Sequence, residues 1–148
     1  MAETEIIQKH TTLQIITVLL IVLFMYTAVS KAIDHEEFRK QLANQEIPIW
    51  TVPTLQWLLP LSELLVVLLL LLPSTRLSGL YASAVLMLVF TGYMGLVVLN
   101  VFDRVPCSCG GVLKSMGFTT HFFFNLFFLI LSLVAIKLQR KNRIEVPK

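Results

Sequence analysis

The chain has 148 residues, 56% of them hydrophobic and 14% charged, with a formal net charge of +3. A soluble domain of this length has no interior large enough for that much apolar surface. The positive charge gathers in one tail and forms no patch or stripe through the chain, which excludes a nucleic-acid footprint.

The charges leave long gaps. Thr11 to Ser30, Leu77 to Phe102 and Ser115 to Ile136 contain no Asp, Glu, Lys or Arg, and Ile47 to Thr75 contains only Glu63. A helix of about 20 mostly apolar residues spans a bilayer, so the gaps predict four transmembrane helices at about 12–31, 53–73, 78–101 and 117–137. The fold class is therefore all-α: one membrane domain, a four-helix bundle over residues 1–148. The first apolar run ends in Ala28-Val29-Ser30, which resembles a signal-peptide cleavage site. Glu3 and Glu5 spoil the basic leader such a peptide needs, so a retained helix is expected.

Helix one ends in a polar group, Tyr26, Thr27, Ser30 and Lys31, expected on one face near the outer surface. In the connection 32–52, Phe38 and Leu42 stand one turn apart, as in a short helix, and this connection is expected to be a solvated cap over the bundle. Pro48 and Pro53 are expected to break that helix. In helix two, Gln56, Pro60 and Glu63 follow i, i+4, i+7 spacing and share one face. Glu63 falls near mid-membrane, where an ionisable group is costly and faces the bundle interior. Lys31 is long enough to reach it or to snorkel outward. A short loop at 74–77 makes helices two and three an antiparallel hairpin. Helix four puts His121, Asn125 and Ser132 on one face. Such residues serve either as polar ties between helices or as a site: Lys31, Glu63 and Asn125 for a bound cofactor, His121 for proton handling.

With four spans, the two termini and the 74–77 loop share one side, with seven basic residues against five on the other. Lys137, Arg140, Lys141, Arg143 and Lys148 supply most of the excess, and the positive-inside rule then places both termini in the cytoplasm. The loop 102–116 faces the opposite compartment, in a bacterium the periplasm, where disulfides persist. Trp50 and Trp57 flank the outer end of helix two, as interfacial aromatics do.

That outer loop holds the chain's two cysteines in the run Val105-Pro106-Cys107-Ser108-Cys109-Gly110-Gly111. Three uses are open: redox cycling, soft-metal binding, or inert packing. An extended i, i+2 pair spans about 6.6 Å, near the upper edge of the range a disulfide bridges. The backbone must turn to close the ring, and Gly110 and Gly111 make that turn cheap. A small ring of this kind is strained, and strained, exposed disulfides are the exchange-active ones. A staple across one residue would remove little chain entropy. For a metal, His121, His35 and Met116 are the available extra ligands, and no spacing matches a structural zinc site, so no metal is assigned. His121 follows Cys109 by twelve residues and opens helix four, whose N-terminus favours a thiolate.

Ser30-Lys31, Phe38, Pro60-x-x-Glu63 and Cys107-x-Cys109-Gly110-Gly111 leading into the last helix resemble the methylamine utilisation protein MauE family, within the wider DoxX-like group of four-helix membrane proteins. The resemblance covers residues 13–137 and implies a redox-associated inner-membrane protein. It further implies a role in maturing the disulfide-rich small subunit of methylamine dehydrogenase, beside a thioredoxin-like partner. Membrane disulfide oxidases of the DsbB and vitamin K epoxide reductase types are similar in size and topology. They use a Cys-x-x-Cys pair beside a quinone, commonly with a second pair. This chain has a single Cys-x-Cys, so an internal relay is impossible. Exchange would be direct, with a partner protein or with a quinone, the acceptor this analogy suggests. The resulting expectation is thiol–disulfide exchange by Cys107 and Cys109 with His121. A membrane assembly scaffold and a copper-handling protein are the alternatives.

Overall fold

A computed structural model describes residues 2–45, 47–101 and 117–145. Five helices make up these residues: α1 (Ala2–Ile33), α2 (His35–Ala43), α3 (Val52–Leu71), α4 (Arg76–Val98) and α5 (Phe118–Glu145). A short 3-10 turn, Ile49–Thr51, leads into α3. The four long helices are the expected spans, and each is long and apolar enough to cross a bilayer: Ile7–Ile33, Ile49–Leu71, Arg76–Val98 and Phe118–Lys141. They close into a ring in which α1 packs on α3, α3 on α4, α4 on α5 and α5 on α1.

The surface is the clearest membrane signature. Val22 on α1, Leu61 and Leu68 on α3, Val85 and Leu88 on α4, and Phe127 and Ile130 on α5 are each more than half exposed at mid-helix. Such a belt would be a liability in water and is the proper surface against lipid tails. The chain is a multi-pass membrane protein.

The apolar core lies towards the α3–α4 turn, where Leu13, Leu20, Leu70, Leu80 and Ile136 are buried together. Van der Waals contact is the main attraction between helices in lipid, so close approach matters more there than in water. Gly79 supplies it. A Cβ built at that position would stand 2.9 Å from the backbone of Leu69 and Leu70. Gly79→Ala is therefore expected to push α3 and α4 apart and cost about 1–3 kcal/mol. Thermal unfolding in detergent checks this: the midpoint falls, whereas Gly92→Ala, with open space around its Cβ, leaves it unchanged.

Buried hydroxyls of the core bond one another or the helix backbone. Ser132 donates to the Phe128 carbonyl at 2.9 Å, and the Ser83 hydroxyl meets it at 3.2 Å from across the α4–α5 seam. Thr91 donates to the Met87 carbonyl at 2.6 Å. Unpaired hydroxyls at this depth would be costly.

Several boundaries depart from the sequence reading. The first and last helices run past the apolar segments, α1 back to Ala2 and α5 on to Glu145. Hydropathy marks what lipid covers and is blind to helical turns that continue into water. The tight turn is 72–75, two residues earlier than expected. Thr75 closes it by donating to the free Leu69 carbonyl at the end of α3, at 3.0 Å. Pro53 breaks nothing; it sits in the first turn of α3, where its missing N–H would have no intrahelical partner. α2 already ends at Ala43, ahead of Pro48. It is more than a wet cap, because Phe38 and Leu42 are buried against Val52.

Candidate functional site

Lys31, Glu63, His121 and Asn125 converge on one space towards the end of the bundle opposite the 72–75 turn. Lys31 lies in the last turn of α1, where Ala28 and Phe24 turn the same face inward. Glu63 sits midway along α3 on the face with Gln56 and Pro60, all three buried as their spacing predicted. The two side chains meet: Lys31 Nζ is 2.7 Å from Glu63 Oε1, with the side chains 10% and 1% exposed. In a bilayer the pair is net neutral, which makes its burial tolerable.

Two further contacts hold the ammonium. Its Nζ donates to the Thr27 carbonyl at 3.4 Å and stands 5.8 Å from the centre of the Phe38 ring. The aromatic face of α2 therefore covers the cation, a cation–π arrangement. This accounts for Phe38 being buried in a short helix with five of its nine residues His, Glu, Arg or Lys.

From the other side, α5 contributes His121 and Asn125. They lie one turn apart on its inward face and are both buried. The His121 backbone N–H bonds the Gly117 carbonyl at 3.0 Å, so the histidine belongs to the first turn of the helix. Among the described residues, His121 Nδ1 and Glu63 Oε2 are buried without a hydrogen-bond partner. His121 is thus not tied to Asn125 through Nδ1.

Between these groups lies a cavity of about 250 Å³, which Lys31, Glu63, His121 and Asn125 all line. Leu23, Leu59, Met87, Phe90 and Phe124 give it apolar walls. Tyr93 Oη donates to Gln45 Oε1 at its rim, tying the segment after α2 to α4. Four candidate site residues drawn from three separate helices thus face one space. Tyr26, expected beside Thr27 and Lys31, does not join them; it is 42% exposed, on the outward side of α1.

Gln45 and Tyr93 carried no signal in the sequence. Each is a single polar residue outside any motif, and only the folding of α2 onto the bundle brings them together. Cys107 and Cys109 lie outside the described residues. Val101 and Gly117, the described residues on either side of their loop, are at this same end of the bundle, for Gly95 on α4 packs against Phe122 on α5.

Compared with curated proteins and with solved structures, the chain has no match in either set. Compared with models of known families, residues 9–138 match the one described as methylamine utilisation protein MauE. That match takes in nearly all of the four spans, the Lys31–Glu63 pair and the cysteine loop, so the chain belongs to the methylamine utilisation protein MauE family.

Proposed function

We propose that this chain carries out thiol–disulfide exchange at the periplasmic face of the bacterial inner membrane, supporting the maturation of a partner protein in methylamine utilisation. What carries the reading is a pair of cysteines one residue apart, the only two in the chain, inside a family match that extends across them. The basic C-terminal tail supports the orientation.

In the oxidising direction, a thiolate of the client attacks one sulfur of the Cys107–Cys109 disulfide. That S–S bond breaks as a mixed disulfide forms, and the displaced cysteine takes up a proton. A second client thiolate then attacks the mixed disulfide. The client leaves with a new disulfide and the Cys107–Cys109 pair as a dithiol, so two electrons have passed from client to pair. A second exchange, with the disulfide of a thioredoxin-like partner, restores the pair. His121 takes the role of proton handler because its ring nitrogen Nδ1 is unpartnered among the described residues.

Single substitutions test this. Cys107→Ser and Cys109→Ser each leave one sulfur, and the variant that keeps the attacked sulfur lacks the thiol that resolves the adduct. One of the two is expected to accumulate a reductant-sensitive complex with client or thioredoxin-like protein on a non-reducing gel. If neither forms an adduct, and both support full maturation of the client, the chain is a membrane assembly scaffold instead.

A further inference from the structure

The cavity has a chemistry of its own, set by residues of the helices. Its charges already cancel, because Lys31 is paired with Glu63 at 2.7 Å. A charged ligand would leave the site with a buried net charge, so the space suits a neutral one. Of the polar atoms on its lining, two are buried without a hydrogen-bond partner among the described residues, Glu63 Oε2 and His121 Nδ1. Their side chains are almost wholly buried, at 1% and 6% exposure. A carboxylate oxygen only accepts, so its missing partner is an O–H or N–H donor. Leaving such atoms bare in a nearly dry site is costly, which makes them the groups a ligand would satisfy.

Most of the remaining wall is apolar, with Leu59, Phe90 and Phe124 among its residues. Val89 also lines the space and is 58% exposed on the outward, lipid-facing side of α4. The cavity therefore opens on the surface that meets the bilayer, and a lipid-soluble molecule has a direct way in. At about 250 Å³ it lies just below the common range of small-molecule pockets, enough for one substituted ring. Among neutral donors a phenolic hydroxyl is far more acidic than an aliphatic one, hence the stronger donor to a carboxylate.

We propose that this cavity binds the ring of a neutral, membrane-soluble hydroxyaromatic molecule of the hydroquinone class, its hydroxyl donating to Glu63 Oε2 and its ring lying between the apolar walls of α3, α4 and α5. The site selects the reduced, hydroxyl-bearing form over the quinone, which has no proton to donate.

The test uses the full chain in lipid nanodiscs, with Cys107→Ser and Cys109→Ser in place so that quinone cannot alkylate the thiols. Calorimetric titration with trimethylhydroquinone is expected to show saturable binding above that of empty nanodiscs. Trimethyl-p-benzoquinone is expected to bind about tenfold more weakly, the loss of one hydrogen bond to a charged group. Glu63→Gln is expected to erase the difference between the two forms. Leu59→Trp, which fills the space and keeps both members of the ion pair, is expected to abolish binding while the thermal midpoint holds. Uptake no greater than that of empty nanodiscs, equal binding of cyclohexanol, or undiminished binding to the Leu59→Trp protein overturns the proposal. Because every arm lacks both thiols, failure here leaves the exchange reading intact, and success here does not establish it.

Discussion

Lys31→Met is expected to destabilise the protein by about 3–5 kcal/mol, the usual cost of stripping one partner from a buried ion pair. The size follows from Glu63, whose carboxylate is 1% exposed and whose second oxygen has no partner among the described residues. Without the ammonium 2.7 Å away, that charge has no ion-pair partner among the described residues. The Thr27 carbonyl and the Phe38 ring lose their contact as well. For a chain of this length the loss corresponds to a thermal midpoint lower by about 10 °C in detergent. The paired variant, Lys31→Met with Glu63→Leu, is expected to recover most of that. It removes both desolvation costs and leaves side chains of similar volume. A Lys31→Met protein that melts with the parent would show that the pair is not a buried tie between α1 and α3.

The other large effect is functional. With Cys107→Ser and Cys109→Ser together, disulfide formation in the client is expected to fall to the level of cells lacking the chain. The two sulfurs act as one unit and no second pair exists to substitute. The protein itself is expected to accumulate normally, since closing a ring across one residue adds little to stability. Quantifying client disulfides beside the amount of the variant in membranes separates lost chemistry from lost protein.

Much of the fold could be read in the chain because the bilayer imposes a coarse rule. Runs of about 20 residues with at most one charge leave little choice of architecture, and all four spans follow from them. The polar face of α3 was legible for a related reason. In a span as apolar as Val52–Leu71, Gln56, Pro60 and Glu63 stand out, and their spacing assigns them a common side. Lys31 reaching Glu63 could be named as one of two outcomes, since length alone does not decide between reaching inward and snorkelling. The Phe38 ring over the ammonium helps to settle it, and that contact needs α2 folded back on the bundle. Helix ends in water were misplaced because no lipid boundary marks them. Tyr26 was misassigned because it adjoins Thr27 in sequence, yet a single residue step turns a side chain by more than a quarter of the helix circumference.

The cavity itself had no sequence signature. It arises because α3 and α4 are tight at Gly79 and leave room at their other ends, where Leu59 and Phe90 line the gap. That property belongs to the packing of the helices, beyond any single helix's pattern of residues.

The most direct test of the account addresses Cys107 and Cys109 in living cells. A membrane-impermeant maleimide mass tag is applied to intact, outer-membrane-permeabilised cells, with and without prior reductant. The account predicts little labelling before reduction and two tags per chain after it, both added from the periplasmic side. Full labelling without reductant, or labelling only after the inner membrane is breached, would contradict it.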